Sequence, residues 1–441
     1  MRAIVELLRD NRDFRLLWFG QIVSQLGDWF NYVALYALLF ELVGSASSVA
    51  LLMVMQLLPI ALVGPTAGLV VDRFDRRRIM IAADLVRGIV VLGLLLVRSP
   101  SMIWLAYLVT AVTVGASGFF EPARSATVPN IVPRRDLVMA NAVSTGTWSA
   151  TLVVGAALGG AAAAFLGRDT AFVINSLSFF VSAVCLWQMR VPKRDTDRAA
   201  AGWHGLLEGL SYMRTHKPVA WIALVKGGWA IVGGGLLLLT VFGDRVFRLG
   251  GSSDAGIGVL YAARGVGATI GSFTVTAIAR ASAPSLTRVI GPSYVIAGIC
   301  YALLGLAPSI WFAALVVVFA HSFGSILWVS SNVLLQIAVP DSFRGRVFAT
   351  ELIAIALVQS VMTYASAVAL DRAGMEPRTL AVVIGVALWI PATLWYVFAR
   401  PLFNTMPPPS PEDVTSAASV PVSRSTASAT PEEPVGPVGP G

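Results

Sequence analysis

The sequence predicts an all-α integral membrane protein with twelve transmembrane helices in two six-helix bundles. Three observations lead there. Of the 441 residues 56% are apolar and only 13% charged, with a mean hydropathy of +0.76, far from the balance of soluble domains. Apolar runs of about 20 residues, the length that crosses a hydrocarbon core, recur twelve times. Finally, 23 of the 32 Lys and Arg residues fall in segments that such a path leaves on one side, six fall on the other, and three lie within the runs. Cytoplasmic loops concentrate Lys and Arg, so both termini are expected in the cytoplasm.

The runs lie near 15–41, 48–71, 79–97, 102–120, 138–166, 170–189, 218–242, 255–279, 286–306, 309–338, 346–370 and 378–399. The first is too long for a signal-peptide core and no small-residue cleavage site follows it, so the N-terminus is expected to be mature as written. The longest connection, Arg190 to Lys217, divides the helices six and six, as a duplicated bundle requires. Residues 1–189 are therefore expected to form one bundle, 190–217 a cytoplasmic linker and 218–400 the second bundle. Within the linker Trp203, Leu206, Leu207, Leu210, Tyr212 and Met213 recur at near-helical spacing beside His204, Glu208, Arg214 and Lys217. That pattern predicts an amphipathic helix on the membrane surface. Residues 401–441 hold ten of the 24 prolines among many Ser, Thr and Ala residues, which predicts a disordered cytoplasmic tail.

Composition also excludes several functions. The net charge of +8 arises from short arginine clusters between apolar runs rather than a continuous basic face, so nucleic-acid binding is not expected. Cys185 and Cys300 lie in separate runs, which suggests neither a disulfide framework nor a metal cluster. Gly159-Gly160 and Gly233-Gly234-Gly235 are followed by no Walker lysine and read as points of close packing or bending. With no nucleophile and base brought together, neither an enzyme nor a cofactor is expected.

Ionisable groups inside the apolar runs are the strongest site signals, because each costs on the order of 3 kcal/mol at a helix centre. Asp28 lies roughly 18 Å along the first helix, near the midplane. With Gln21, Ser24, Gln25 and Asn31 it makes a polar stripe that turns one face toward a wet cavity. A carboxylate there can take up and release a proton during transport, so Asp28 is the candidate for proton coupling, against a structural acid paired across the bundle. Arg264, roughly 12 Å into the eighth helix, reads either as a structural counter-ion or as a contact for an anionic substrate. Asp84 and Arg87, three apart, are expected to neutralise each other as a structural pair. Lys226 and Glu351 lie close enough to the cytoplasmic side to snorkel. His321 reads as a proton relay or as a hydrogen-bonded packing residue. Tyr32, Trp229 and Trp328, with Trp18, Trp29, Phe30 and Tyr36, serve either substrate stacking or core packing.

Between the second and third runs stands Gly68-Leu69-Val70-Val71-Asp72-Arg73-Phe74-Asp75-Arg76-Arg77-Arg78. This resembles the loop signature of the major facilitator superfamily at Gly68, Asp72, Arg73, Arg76 and Arg77, with Asp75 where that family usually has a second glycine. Glu121-Pro122-Ala123-Arg124-Ser125, Ala140-Asn141-Ala142, Arg264-Gly265-Val266-Gly267-Ala268 and Arg344-Gly345-Arg346-Val347 resemble its drug- and siderophore-exporter (enterobactin-type) branch. In Gly155-Ala156-Ala157-Leu158-Gly159-Gly160 the exporter glycines are present, while Ala156 replaces the usual proline. The resemblance implies a latch in which Asp72, Arg76 and Glu121 hold the halves together on the inside. Physically, Asp72 can pair with arginines and accept from a helix N-terminus, and the start of the eleventh helix, with Arg344 and Arg346, is the natural partner. A topological role for the arginines is the alternative.

The expected function is secondary active transport by alternating access, as a proton-coupled exporter of amphipathic small molecules such as drugs or siderophores. Uptake of a nutrient on the same fold and a nontransporting membrane receptor are the alternatives. The expected partners are a small-molecule substrate, protons and lipid, with no nucleic acid. A monomer in the plasma membrane, the inner membrane of a bacterium, is expected.

Overall fold

The computed structural model describes residues 2–133, 136–191, 202–281 and 283–404. Among them the regular elements are helices, with one isolated bridge between Leu249 and Ser252. Helix α1 (Arg2–Asp10) is separated from α2 (Arg12–Val43) by Asn11, whose side chain accepts from the Phe14 N–H at 2.9 Å and so caps the longer helix. Gly44, at φ +69°, ends α2 in the left-handed conformation that glycine adopts without a side-chain clash. The second run is not one helix: α3 (Ala46–Met55) and α4 (Leu58–Arg73) are broken at Gln56 and Leu57, just ahead of Pro59, which lacks the N–H that a continuous helix needs. Asp75, the departure from the family pattern, accepts from the Arg78 N–H at 3.0 Å and caps α5 (Arg76–Val91). A 3₁₀ segment, Leu92–Leu96, extends α5.

Next come α6 (Ile103–Ile131), α7 (Leu137–Leu166) and α8 (Arg168–Gln188). The linker contributes α9 (Gly202–Thr215). The seventh run is interrupted as α10 (Lys217–Trp229) and α11 (Gly233–Val241), joined by a 3₁₀ turn over Ala230–Val232. Then follow α12 (Ser253–Ala281), α13 (Ala283–Gly305), α14 (Ile310–Ala338) and α15 (Asp341–Asp371). The last run divides into α16 (Pro377–Ala387), α17 (Trp389–Leu394), a π turn and α18 (Arg400–Asn404). Ten stretches among the described residues are long and apolar enough to cross a membrane. α7 and α12, of 30 and 29 residues, match them in length. The tail expected to be disordered from Pro401 begins instead as helix, since Pro401–Asn404 belong to α18; the rest of it, and the linker from Pro192 to Ala201, lie outside the described residues.

In the first half α2 packs on α7 and α8, α5 lies between α6 and α8, and α4 lies on α6. In the second half α14 packs on α12 and α13, and α13 on α16. The halves meet where α7 crosses α12 and α3 crosses α15. Adjacent glycines make the first crossing. A Cβ on Gly159 would meet Phe30 Cα at 2.8 Å, and one on Gly160 would meet Asp254 O at 2.7 Å and Gly258 Cα at 2.9 Å. Small residues thus let α7 approach α2 on one side and α12 on the other. Cys185 and Cys300 are buried free thiols.

Candidate functional site

Two cavities of about 520 and 510 Å³, the first and second lobes, share Trp148 in their walls; the first is lined by residues between 21 and 148 alone, and the second lies between the halves. The first lobe is built by α2, α5 and α6, with Asp28, Gln25, Tyr32, Arg87, Glu121 and Arg124 on its wall. The second is built by α10, α12 and α14, with Trp229, Arg264, His321, Trp328 and Asn332.

Most charges in this space are matched. Arg87 bonds Asp84, reaches Ser117 Oγ at 3.2 Å, and lies 4.6 and 4.4 Å from the ring centres of Phe120 and Phe179. Arg124 pairs with Glu121 at 2.8 Å and reaches Gln21 Oε1 at 3.4 Å. Lys226 Nζ donates to Glu351 and to Asn332, each at 2.6 Å, and lies 5.2 Å from the Trp328 ring centre. Two groups are left over. Neither Asp28 nor Arg264 makes a hydrogen bond or ion pair among the described residues, although both face the cavity. A row of aromatic rings runs between them. Tyr32 meets Trp29 edge-on at 5.8 Å, Trp29 lies 6.2 Å from Tyr261, and the Arg264 guanidinium stands 5.8 Å from the Tyr261 ring centre. His321 bonds the Tyr301 hydroxyl at 3.2 Å and meets Trp229 edge-on at 5.8 Å.

Several expectations need correction. Asn31 lines neither lobe; it is buried with Oδ1 unpartnered, because three residues from Asp28 at 100° each turn it about 60° around the helix. Lys226 and Glu351 do not snorkel: both side chains are 3% exposed and neutralise each other. Arg76 and Glu121 are not partners. Arg76 donates to Ala126 O at 2.9 Å at the end of α6, while Arg124 takes the Glu121 carboxylate. Arg77 is spent on the Leu186 and Trp187 carbonyls at the end of α8. Gly68 sits within α4 and Arg73, exposed, closes it. The side chain of Asp72 lies outside the described residues. At the start of α15, Arg344 donates to the Gln336 and Val339 carbonyls, and Arg346 pairs with Glu208 of α9 at 2.6 Å. Gln25 accepts from Thr151 Oγ1 at 3.0 Å, tying α2 to α7.

Around Gly44 and Gly167 a second set of polar contacts joins the halves, and sequence reasoning missed it. Arg168 of α8 bonds Glu41 of α2 and pairs with Asp254 of α12 at 3.2 Å. Asp371, ending α15, accepts from Ser45 Oγ at 2.8 Å, the Ala46 N–H at 3.1 Å and the Ser47 N–H at 2.7 Å, so one half caps a helix of the other. Arg245 donates to Gly44 O at 2.6 Å and approaches Asp371 at 3.8 Å. Their one signal in the sequence, charge at helix ends, reads first as topology.

A family model described as transmembrane secretion effector matches residues 8–413. The chain belongs to that family, within the major facilitator superfamily. An MFS-type transporter of Bacillus subtilis, YfiS, itself uncharacterized, is 27% identical over 403 residues, covering 87% of this chain and 90% of its own. Macrolide efflux protein A of Streptococcus pyogenes is 27% identical over 218 residues, 48% of this chain and 54% of its own. The crystal structure of the nucleoside transporter NupG superposes with a TM-score of 0.71 at 12% identity, covering 87% of this chain and 98% of that one, which establishes the fold. This member of the superfamily is therefore a multi-pass membrane transporter with efflux proteins among its relatives, and not an enzyme.

Proposed function

We propose that this transporter exports amphipathic small molecules in exchange for protons, by alternating access across a bacterial plasma membrane. In this reading α7 and α12 join the ten apolar stretches to give twelve crossings in two six-helix bundles, and the 23 Lys and Arg residues on one side put both termini in the cytoplasm. One chain supplies both cavity lobes, which supports a working monomer. The relation to a macrolide efflux protein supports the outward direction.

The observation that carries proton coupling is the Asp28 carboxylate, facing the first lobe without a hydrogen-bond or ion-pair partner among the described residues. The charged groups acting on it are Arg87 and Asp84 from α5 and Glu121 from α6, with Tyr32 on its own helix. Arg87 is already matched by Asp84, so Asp28 is free to hold a proton or a cationic part of the substrate, but not both. Mutually exclusive occupancy of one carboxylate is the simplest basis for exchange, because each ligand stabilises the conformation that releases the other. The polar contacts of Arg168, Arg245 and Asp371 act as the outer gate. Gly68, Asp72, Arg73, Arg76 and Arg77, with Arg344 and Arg346, act at the inner one.

Quenching of a proton-gradient dye in everted vesicles, over a panel of drugs, siderophores and lipids, tests this reading. Substrate addition should dissipate the gradient, and Asp28→Asn should abolish the response while the protein remains folded. Undiminished proton-driven efflux by the variant removes Asp28 from the mechanism.

A further inference from the structure

The two unmatched groups of the cavity have opposite sign and lie in opposite halves of the molecule. Asp28 belongs to α2 and Arg264 to α12, and every other charge described on the wall has a partner within its own half: Arg87 with Asp84, Arg124 with Glu121, and Lys226, beside the second lobe, with Glu351. Left alone, a charge at membrane depth is costly, and its partner must come from somewhere. Asp28 and Arg264 do not supply it to each other, since neither forms an ion pair among the described residues.

From this we propose that the cavity selects zwitterionic amphipathic molecules. A cationic nitrogen sits at Asp28, a carboxylate or similar anion at Arg264, and the apolar middle lies against Trp29, Tyr32 and Trp148. The proposal names the substrate class of the export reading and rests on it. Trp29 and Tyr32 line the first lobe and Trp148 lines both, so an apolar body has aromatic surface on the way from one charge to the other; Tyr261, itself buried, backs this surface 6.2 Å from Trp29 and 5.8 Å from the Arg264 guanidinium.

The two ends differ in a way that shapes transport. Asp28 can exchange a ligand cation for a proton and stay neutralised. Arg264 has no such option, because a guanidinium does not give up its proton in proteins. Its compensation must be an anion that arrives and leaves with the substrate, and its planar fork matches a carboxylate held by two hydrogen bonds. A purely cationic molecule would satisfy Asp28 and leave Arg264 bare. A purely anionic one would satisfy Arg264 and require a proton on Asp28. Only the zwitterion meets both ends and still leaves through proton exchange at Asp28.

Binding to the purified full-length transporter in lipid nanodiscs, read by quenching of tryptophan fluorescence, tests this directly. The probes are phenylalanine-containing peptides of two, three and four residues in four forms: free, N-acetylated, C-terminal methyl ester, and capped at both ends. At the best length the free form should bind at least about tenfold more tightly than either singly capped form, a difference of about 1.4 kcal/mol. Arg264→Gln should abolish the preference of the free form over the ester and keep its preference over the acetylated form. Asp28→Asn should do the reverse. Arg264→Lys, which keeps the charge without the fork, should retain part of the preference over the ester. Melting temperature and a monodisperse elution profile establish that each variant is folded. Free and ester forms binding within twofold in the unaltered protein, no binding by any form at any length, or equal weakening of all four forms in either variant, would overturn the proposal. Because binding is read without a gradient and without sidedness, the two readings separate. Charge discrimination without proton-driven efflux overturns export alone, and efflux without charge discrimination overturns the zwitterion alone.

Discussion

Lys226 and Glu351 are the most deeply buried oppositely charged partners in the second half, and they hold α10 against α15. Breaking such a pair leaves one charge with nothing to replace water, whereas removing both leaves an apolar contact that is often neutral or better. Glu351→Gln should therefore destabilise the protein by about 3–5 kcal/mol, seen as a marked fall in melting temperature in detergent. Lys226→Met combined with Glu351→Leu should recover most of the loss; no recovery would mean that the pair does more than neutralise itself. The apolar runs made such residues conspicuous one at a time, because a charge among Leu, Val and Ala stands out. They left partners unreadable, since nothing local ties residue 226 to residue 351. Asp84 and Arg87, three apart on one helix, are the exception that local spacing does reveal. Asp28 and Arg264 were legible as site candidates for the same reason as Lys226, and only the cross-helix packing separates the two that remain unmatched from the two that pair.

Helix breaks and close crossings were harder to read than helices. The run over 48–71 is continuous in hydropathy, yet α3 and α4 part at Leu57, and Leu57 lines the second lobe together with Val232 and Gly233 at the α10–α11 junction. Interrupted helices at a cavity are what a transporter fold uses to bend or to expose backbone where water reaches it. The crossing of α7 and α12 depends on the absence of a side chain at Gly160, so Gly160→Val should push the halves apart at the end that carries Gly44 and Gly167. Asp371→Asn should act in the same direction by weakening the cap on α3 and the approach of Arg245. Spin labels on Val43→Cys and Arg372→Cys, in a protein whose own two cysteines are buried, measure the outcome. Either substitution should lengthen the label–label distance or add a longer population, and an unchanged distribution in both would show that these contacts do not hold the halves together at this end.

The whole molecule is held at its two ends by different devices. The end at Gly44 and Gly167 is joined by direct contacts between halves, through Arg168, Asp254 and Asp371. At the opposite end the linker helix α9 intervenes: it packs on both α4 and α15, Glu208 pairs with Arg346 at 2.6 Å, and Leu206 O accepts from Thr350 at 3.1 Å. The sequence marked this helix by its amphipathic spacing and marked Arg346 by its resemblance to a family motif, but placed α9 on the lipid surface and Arg346 opposite Asp72. Contact between them arises only once the linker folds back under the second half. The pair is about one-third exposed on each side, so its share of stability is at most about 1 kcal/mol and screening reduces it. Its effect should therefore fall on switching rather than on folding. Glu208→Arg and Arg346→Glu should each slow substrate flux in vesicles severalfold with little change in melting temperature, and the exchanged pair, Glu208→Arg with Arg346→Glu, should restore most of the flux. A charge exchange that stays as slow as the single variants would assign the effect to other contacts of Arg346, such as its position over the Phe343 ring at 5.2 Å, and would leave α9 as a packing element only.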